Sequence, residues 1–308
     1  MSFNEYYANL EQELSGKKYQ GRPQATQPLS LKNFESCDET AVYWLSAAGV
    51  LINSRGTTIM IDPILSVVDD DPSRSEIDGK LLLAPPPIMA DQVRGLDAIL
   101  YTHSDGDHMG WRTARALLTS GATYYTTPYA AKELQKIGVP KDRIREYERH
   151  DEFCIGSVRV RMTAAFHPHQ IGNPRNNNYW FFKGSDCTGF RLETQDGIIW
   201  NPGDTILMEE HFQNTDADLV MIDFSDNVHH FGRKLSIQLA NSLYRSDLLA
   251  FHWGTVYSPD QDCYNADPEH VRSSIIDPDR LHVLAPGEKY VLKKNVGSHG
   301  KKAAEAKS

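Results

Sequence analysis

The decapeptide YTHSDGDHMG, residues 101 to 110, places His103, Asp105, Asp107 and His108 within six positions. Imidazole nitrogens and carboxylate oxygens are donors that divalent transition metals take from proteins, and a packed core does not accept four such groups unpaired. The stretch follows GLDAILY, an apolar run of strand length, and precedes WRTARALLTSG, an amphipathic helical pattern that stops at a glycine. The four side chains are therefore expected on a turn at the exit of a buried strand, where α/β proteins place their chemistry. A structural use competes with this one, since Asp107 could cap the helix that follows. Capping leaves the other three donors unexplained.

Further donors recur in the same setting. His167 follows VRVRMTAAF, Asp204 follows GIIWNPG and His252 follows DLLAF. If those strands are neighbours in a sheet, their ends converge on one rim. The seven donors His103, Asp105, Asp107, His108, His167, Asp204 and His252 then suffice for two metal ions with positions left open for water. In FHPHQ the immediate strand exit favours His167 over His169 as the ligand, which leaves His169 facing substrate or solvent. His229 and His230, in VHHF, precede a helical pattern and could reach the site from a loop, but are expected as capping or surface residues. His150, His211, His270, His282 and His299 are expected at the surface. No G-x-S-x-G nucleophile elbow and no catalytic Cys–His signature competes with the metal reading.

The order H-x-D-x-D-H, lone His, Gly-Asp, final His resembles the metallo-β-lactamase superfamily, whose hallmark is H-x-H-x-D-H. More narrowly, WLSAAGVLINSRGTTIMIDP, GLDAILYTHSDGDHMG and IIWNPGDT look like the branch that contains ascorbate-6-phosphate lactonase. The resemblance covers roughly residues 40 to 290. It implies an α/β fold, an αββα sandwich with metals on one edge between two sheets, and hydrolysis of a phosphorylated lactone or related ester by a metal-bound hydroxide. Carried across by position, His103, Asp105 and His167 would hold a first metal. Asp107, His108 and His252 would hold a second, with Asp204 bridging and Asp107 also steering the nucleophile's proton. Asp62 matches an acidic position that supports the metal loop from behind.

The departure is Asp105, where the commoner pattern has histidine. A carboxylate there is harder and more negative, and favours manganese or iron over zinc, with zinc still open. Flavodiiron proteins also carry a carboxylate at this place, as H-x-E-x-D-H. A di-iron oxidoreductase is thus an alternative, against which the chain shows no flavin domain. A binding protein that keeps the pocket without turnover is another.

Elements must position these groups, and the bulk of the chain is compatible with that. Of 308 residues 40% are hydrophobic and 24% charged, ordinary values for a globular enzyme. A net charge of −9 disfavours nucleic acid as a partner. Four cysteines without a C-x-x-C pair read as reduced thiols of a cytoplasmic protein. No apolar run of membrane-spanning length occurs and the first residues lack the apolar segment of a secretory signal, so no membrane partner is expected. Homo-oligomerisation is left open.

Residues 1–38 read as a polar extension, with GKKYQGRPQATQP as a linker or strap; 39–292 form the domain; 293–308 are a frayed tail. Three strands are expected between Ala41 and Asp62, helices at 110–119, 128–137, 231–244 and 268–276, and strands at 152–156, 158–166 and near 281–285. The long connections at 66–90 and 168–187 are expected to shape a binding site. Arg74, Arg175 and Lys183 on them, with His169, are expected to hold a small anionic substrate.

Overall fold

The computed structural model describes residues 1–68, 70–168, 186–261, 263–264 and 266–295. β1 (Thr40–Ser46), β2 (Gly49–Ser54) and β3 (Thr57–Ile61) form an antiparallel meander, with Val42 opposite Ile52 and Ile52 opposite Ile59. Their alternation sorts the side chains onto two faces. Val42, Trp44, Val50, Ile52, Ile59 and Ile61 enter one apolar cluster, while Ala41, Tyr43, Leu45, Leu51 and Met60 enter another. A sheet buried on both faces explains why these strands read as near-continuous apolar runs.

β4 (Ala98–Leu100), β5 (Thr123–Thr126) and β6 (Ile144–Glu146) extend that sheet in parallel, and β14 (Lys289–Val291) closes its other edge beside β1. A second sheet begins with the antiparallel run β7 (Glu152–Ile155), β8 (Val158–Ala164), β9 (Thr188–Thr194) and β10 (Gly197–Asn201). β11 (Leu219–Ile222), β12 (Asp247–Ala250) and β13 (Leu281–His282) continue it in parallel. Val160, Met162, Phe190, Leu192 and Trp200 join the inward residues of the first sheet in one core.

α2 (Trp111–Ala116) and α3 (Pro128–Lys136) bury Ala114, Ala131 and Leu134 against the outer face of the first sheet. α4 (Arg233–Ser242) brings Leu239 and Ala240 to the cluster that holds the second. Helices on the outer faces of two packed sheets make the expected αββα sandwich. Among the described residues no helix is long and apolar enough to cross a membrane.

Three expectations are corrected. The polar extension contains a helix, α1 (Phe3–Leu14), whose start is a reciprocal cap: Glu5 N donates to Ser2 Oγ and Ser2 N to Glu5 Oε2. Its Tyr6 and Leu10, one helical turn apart, pack with Ile77, Leu81, Leu82 and Val256, so this helix lies against the domain. The helix expected at 268–276 is two 3-10 turns, Pro268–His270 and Arg272–Ser274. Serines and β-branched residues give this segment a low helix propensity, and Asn241 Oδ1 takes the Ile276 N–H that a longer helix would use. The strand near 281–285 is confined to Leu281–His282, and β14 was not anticipated because three residues carry too little pattern.

Candidate metal centre

The donors stand at the ends of strands that meet on one rim between the two sheets. β3 runs into Asp62, β4 into Thr102 and His103, β8 into His167, β10 into Asp204, β11 into Asp223 and β12 into His252. Two bonds tie the sheets together there: Thr188 N donates to Thr102 O at 3.0 Å, and His252 N to Ala47 O at 2.8 Å. Asp62 (φ 44°) and His252 (φ 59°) adopt the left-handed conformation that side chains seldom take. Such strain is retained where surrounding structure over-determines it. Gly203 accounts for the Gly-Asp pair: at φ +65°, a Cβ would meet Thr188 O at 2.6 Å.

Five buried imidazoles share one arrangement: Nδ1 is held by a partner and Nε2 points inward. The His108 Nδ1 partner is Asp62 Oδ2 at 2.8 Å, and that of His230 is Asp223 Oδ2 at 2.6 Å. Thr102 Oγ1 donates to Asp62 Oδ2 and so accepts from His103 Nδ1 at 2.9 Å. His167 Nδ1 donates to His229 O at 3.1 Å, and His252 Nδ1 to Cys263 O at 3.1 Å. Outer partners of this kind fix the tautomer that presents Nε2 as a ligand.

On the inner side, Asp204 Oδ2 lies 3.1 Å from His108 Nε2, 3.0 Å from His230 Nε2 and 3.4 Å from His252 Nε2. Asp105 Oδ2 lies 3.2 Å from His167 Nε2 and 3.6 Å from His103 Nε2. Asp107 Oδ2 is 3.5 Å from His252 Nε2 and accepts from the Tyr264 hydroxyl at 2.9 Å.

These groups fit divalent cations. His103 Nε2 and Asp204 Oδ1 are buried with no hydrogen-bond partner, a costly state for an isolated protein. His108 Nε2 and His252 Nε2 face each other at 3.1 Å, which two neutral, Nδ1-protonated imidazoles do not tolerate. Three sets of donor atoms each lie within 4.8 Å of one another: His103, His167 and Asp204; Asp107, His108 and His252; Asp204, His230 and His252.

Without metal, protons do part of the cation's work. Burial opposes a charged His108, yet Asp204 and Asp62 hold its proton on well above the ordinary value. Burial likewise opposes a charged His230, but Asp204 and Asp223 push it up to about 10. Asp204 itself is held well below the carboxylate range, the surrounding histidines overcoming its burial. His167 moves down because burial outweighs Asp105.

Metal uptake must therefore expel protons, since a ligating imidazole is neutral. Calorimetric titration of the metal-free protein at pH 7, in buffers of different ionisation enthalpy, is expected to show net proton release, with affinity falling as pH falls. The metal-free fold should also lose stability as pH rises from His230's ordinary 6.5 towards about 10, because a raised histidine stabilises only while protonated. Buffer-independent heats would contradict this.

All seven sequence-predicted ligands thus meet at one place, and Asp62 stands behind them. His230 was expected as a cap or surface residue and is instead buried at 6% exposure against Asp204. Its signal was the strand-exit Asp223 seven residues earlier, which the loop between them obscures. His211, also expected outside, is buried and bonds Ala164 O at 3.0 Å, away from the donors. Arg74 is not brought to the site: its guanidinium faces Glu13 at 3.9 Å, in a separate small cavity beneath α1. His169, Arg175 and Lys183 lie outside the described residues.

Residues 57–253 match the family described as Beta-lactamase superfamily domain. An uncharacterized protein of Mycobacterium tuberculosis is 27% identical over 217 residues, 66% of this chain; the chain spans 58% of that relative's length. A UPF0173 metal-dependent hydrolase of Heliobacterium modesticaldum is 29% identical over 258 residues, covering 82% of this chain and 97% of the relative. An isothiocyanate hydrolase from Delia radicum gut bacteria shares the fold at TM-score 0.63 and 16% identity, over 82% of this chain and 99% of that one.

Proposed function

We propose, starting from a chain that belongs to the beta-lactamase superfamily, that this protein is a metal-dependent hydrolase of a small anionic ester, lactone or phosphodiester. Five Nδ1-anchored imidazoles and the carboxylates of Asp105, Asp107 and Asp204 converge at an open cavity of about 490 Å³, and that convergence carries the reading. The name of the 29%-identical relative, a metal-dependent hydrolase, supports it. The three stretches that look like the lactonase branch place lactones among the candidate substrates.

His103, Asp105 and His167 would hold one cation, Asp107, His108 and His252 the other, with Asp204 shared. When bound, such ions acidify water from about 15.7 towards about 7 and polarise the carbonyl or phosphoryl group under attack. Three carboxylates offset most of the charge of two divalent ions, leaving the floor of the cavity attractive to an anion. The hydroxyl of Tyr264 fixes Asp107, and Asp62 fixes His108 through Nδ1. His230 lines the cavity with Asp223 behind it and its Nε2 3.0 Å from Asp204 Oδ2; in this reading it stays outside both ligand sets and would hand a proton to a departing oxygen.

The test strips the protein, reloads it separately with manganese, ferrous iron or zinc, and assays ester, lactone and phosphodiester panels. Turnover only in the loaded forms is expected. A filled site that hydrolyses nothing would leave the binding-protein reading, and oxygen-dependent chemistry with an electron donor would favour the di-iron one.

Asp105 gives the same experiment a second arm. Its hard, anionic carboxylate suits manganese or iron where a neutral imidazole suits zinc. Wild type is expected to be most active with manganese or iron, and Asp105→His to shift towards zinc by about tenfold in relative kcat/KM. The same order of metals in both proteins would show that this residue does not select the ion.

A further inference from the structure

One wall of the cavity comes from two loops packed on each other. The first supplies Ile77, Asp78 and Lys80, the second Gln261, Cys263 and Tyr264. Apart from histidines, Lys80 is the one basic side chain among the described residues that line it. Its backbone is fixed on both sides: Lys80 N donates to Ile77 O at 3.0 Å, Ser75 N to Lys80 O at 2.9 Å, and Tyr257 N to the next carbonyl, Leu81 O, at 2.7 Å. Its ammonium is fixed as well. Nζ donates to Gln261 Oε1 at 2.7 Å and lies 4.8 Å from the centre of the Tyr264 ring.

Nζ also donates to Asp78 Oδ2 at 3.4 Å, but that carboxylate is 69% exposed and screened by water, whereas the Lys80 side chain is 21% exposed. Gln261 is neutral and the tyrosine ring offers only its face, so the third N–H of the ammonium is left for the cavity. Tyr264 also bonds Asp107, which sets the cation at a fixed place relative to the metal donors.

We propose that Lys80, held on the face of Tyr264 by Gln261, recognises a carboxylate or phosphate group that the substrate carries away from its scissile bond. The proposal rests on the hydrolase reading and narrows its substrate class to two-ended molecules: a reacting centre at the metal donors and an oxyanion at Lys80. A cation already pinned in place loses little side-chain entropy on binding. Its contribution is a charge-assisted hydrogen bond that strengthens binding and shows mainly in KM.

The experiment compares 4-nitrophenyl propionate with 4-nitrophenyl hydrogen succinate, which share a leaving group and differ by one carboxylate. With the manganese-loaded protein, Lys80→Met is expected to lower kcat/KM for the succinate ester by about tenfold and leave the propionate ester unchanged, with Lys80→Arg restoring most of the loss. A separate arm titrates succinate and propionate into the loaded proteins by calorimetry. Wild type and Lys80→Arg should prefer succinate by about tenfold, and Lys80→Met should not. Equal losses on both esters, or a succinate preference that is absent or unaffected by Lys80→Met, overturns the proposal. If nothing in the ester, lactone and phosphodiester panels is hydrolysed while the succinate preference follows Lys80, the hydrolase reading fails and the recognition residue stands.

Discussion

Asp204→Ala is expected to reduce bound metal from about two equivalents to one or fewer and to lower kcat/KM by about a thousandfold or more. The size of the effect follows from the position of one atom. Asp204 Oδ2 stands within 3.4 Å of Nε2 on His108, His230 and His252, and the residue also belongs with His103 and His167. No other carboxylate among the described residues appears in two of the candidate donor sets. Removing it deprives both sites of an anionic donor and leaves imidazole nitrogens facing one another without the charge that reconciles them. Asp204→Asn keeps the shape and removes the charge, so it should retain the fold while losing most of the metal. Elemental analysis beside steady-state kinetics reads both quantities. An alanine variant that binds about two equivalents would remove Asp204 as the shared ligand.

The legibility of this site in the sequence follows a physical rule. Donors that immediately follow an apolar strand could be placed, because the strand's end fixes where the next few residues go. His103, His167, Asp204 and His252 all have that setting, and all meet at the rim. His230 does not, since a loop separates it from β11 and no periodicity says which way a loop turns. The same limit explains Arg74 and Lys80. Both lie on one irregular connection, and only the packing of residues 73–82 under α1 decides that Arg74 faces Glu13 while Lys80 faces the cavity. α1 was hidden for another reason. Its cap Ser2-x-x-Glu5 and its Tyr6–Leu10 spacing are present, but only two of its residues are buried, so the polar majority dominates the pattern. The strands were legible because each sheet is buried on one or both faces and they are correspondingly apolar, whereas the αββα sandwich was implied by the resemblance that the donor motif carries.

His230→Gln is expected to keep nearly all bound metal while lowering kcat by about a hundredfold to ten-thousandfold, the range of a lost general acid. Nδ1 donates to Asp223 at 2.6 Å, which holds the ring and stabilises its charged form, and Nε2 borders the cavity. In the metal-free protein Asp204 and Asp223 push His230 up to about 10 against its burial. Sharing the charge of Asp204 with cations would weaken that field and lower the value from there, in the direction that suits a general acid. The loss should therefore depend on the leaving group. Esters of 4-nitrophenol, which departs without help, should be nearly spared, and esters of simple alcohols should suffer the full effect. Activity on the alcohol esters should fall as pH rises through the His230 value, because the proton to be donated is lost, and the variant should lack that alkaline limb. Asp223→Asn should shift the limb to lower pH and cost less than the glutamine variant, since it weakens the charged form without removing the ring. If His230→Gln instead loses an equivalent of metal and both ester classes fall together, the residue is a ligand and the proton comes from elsewhere.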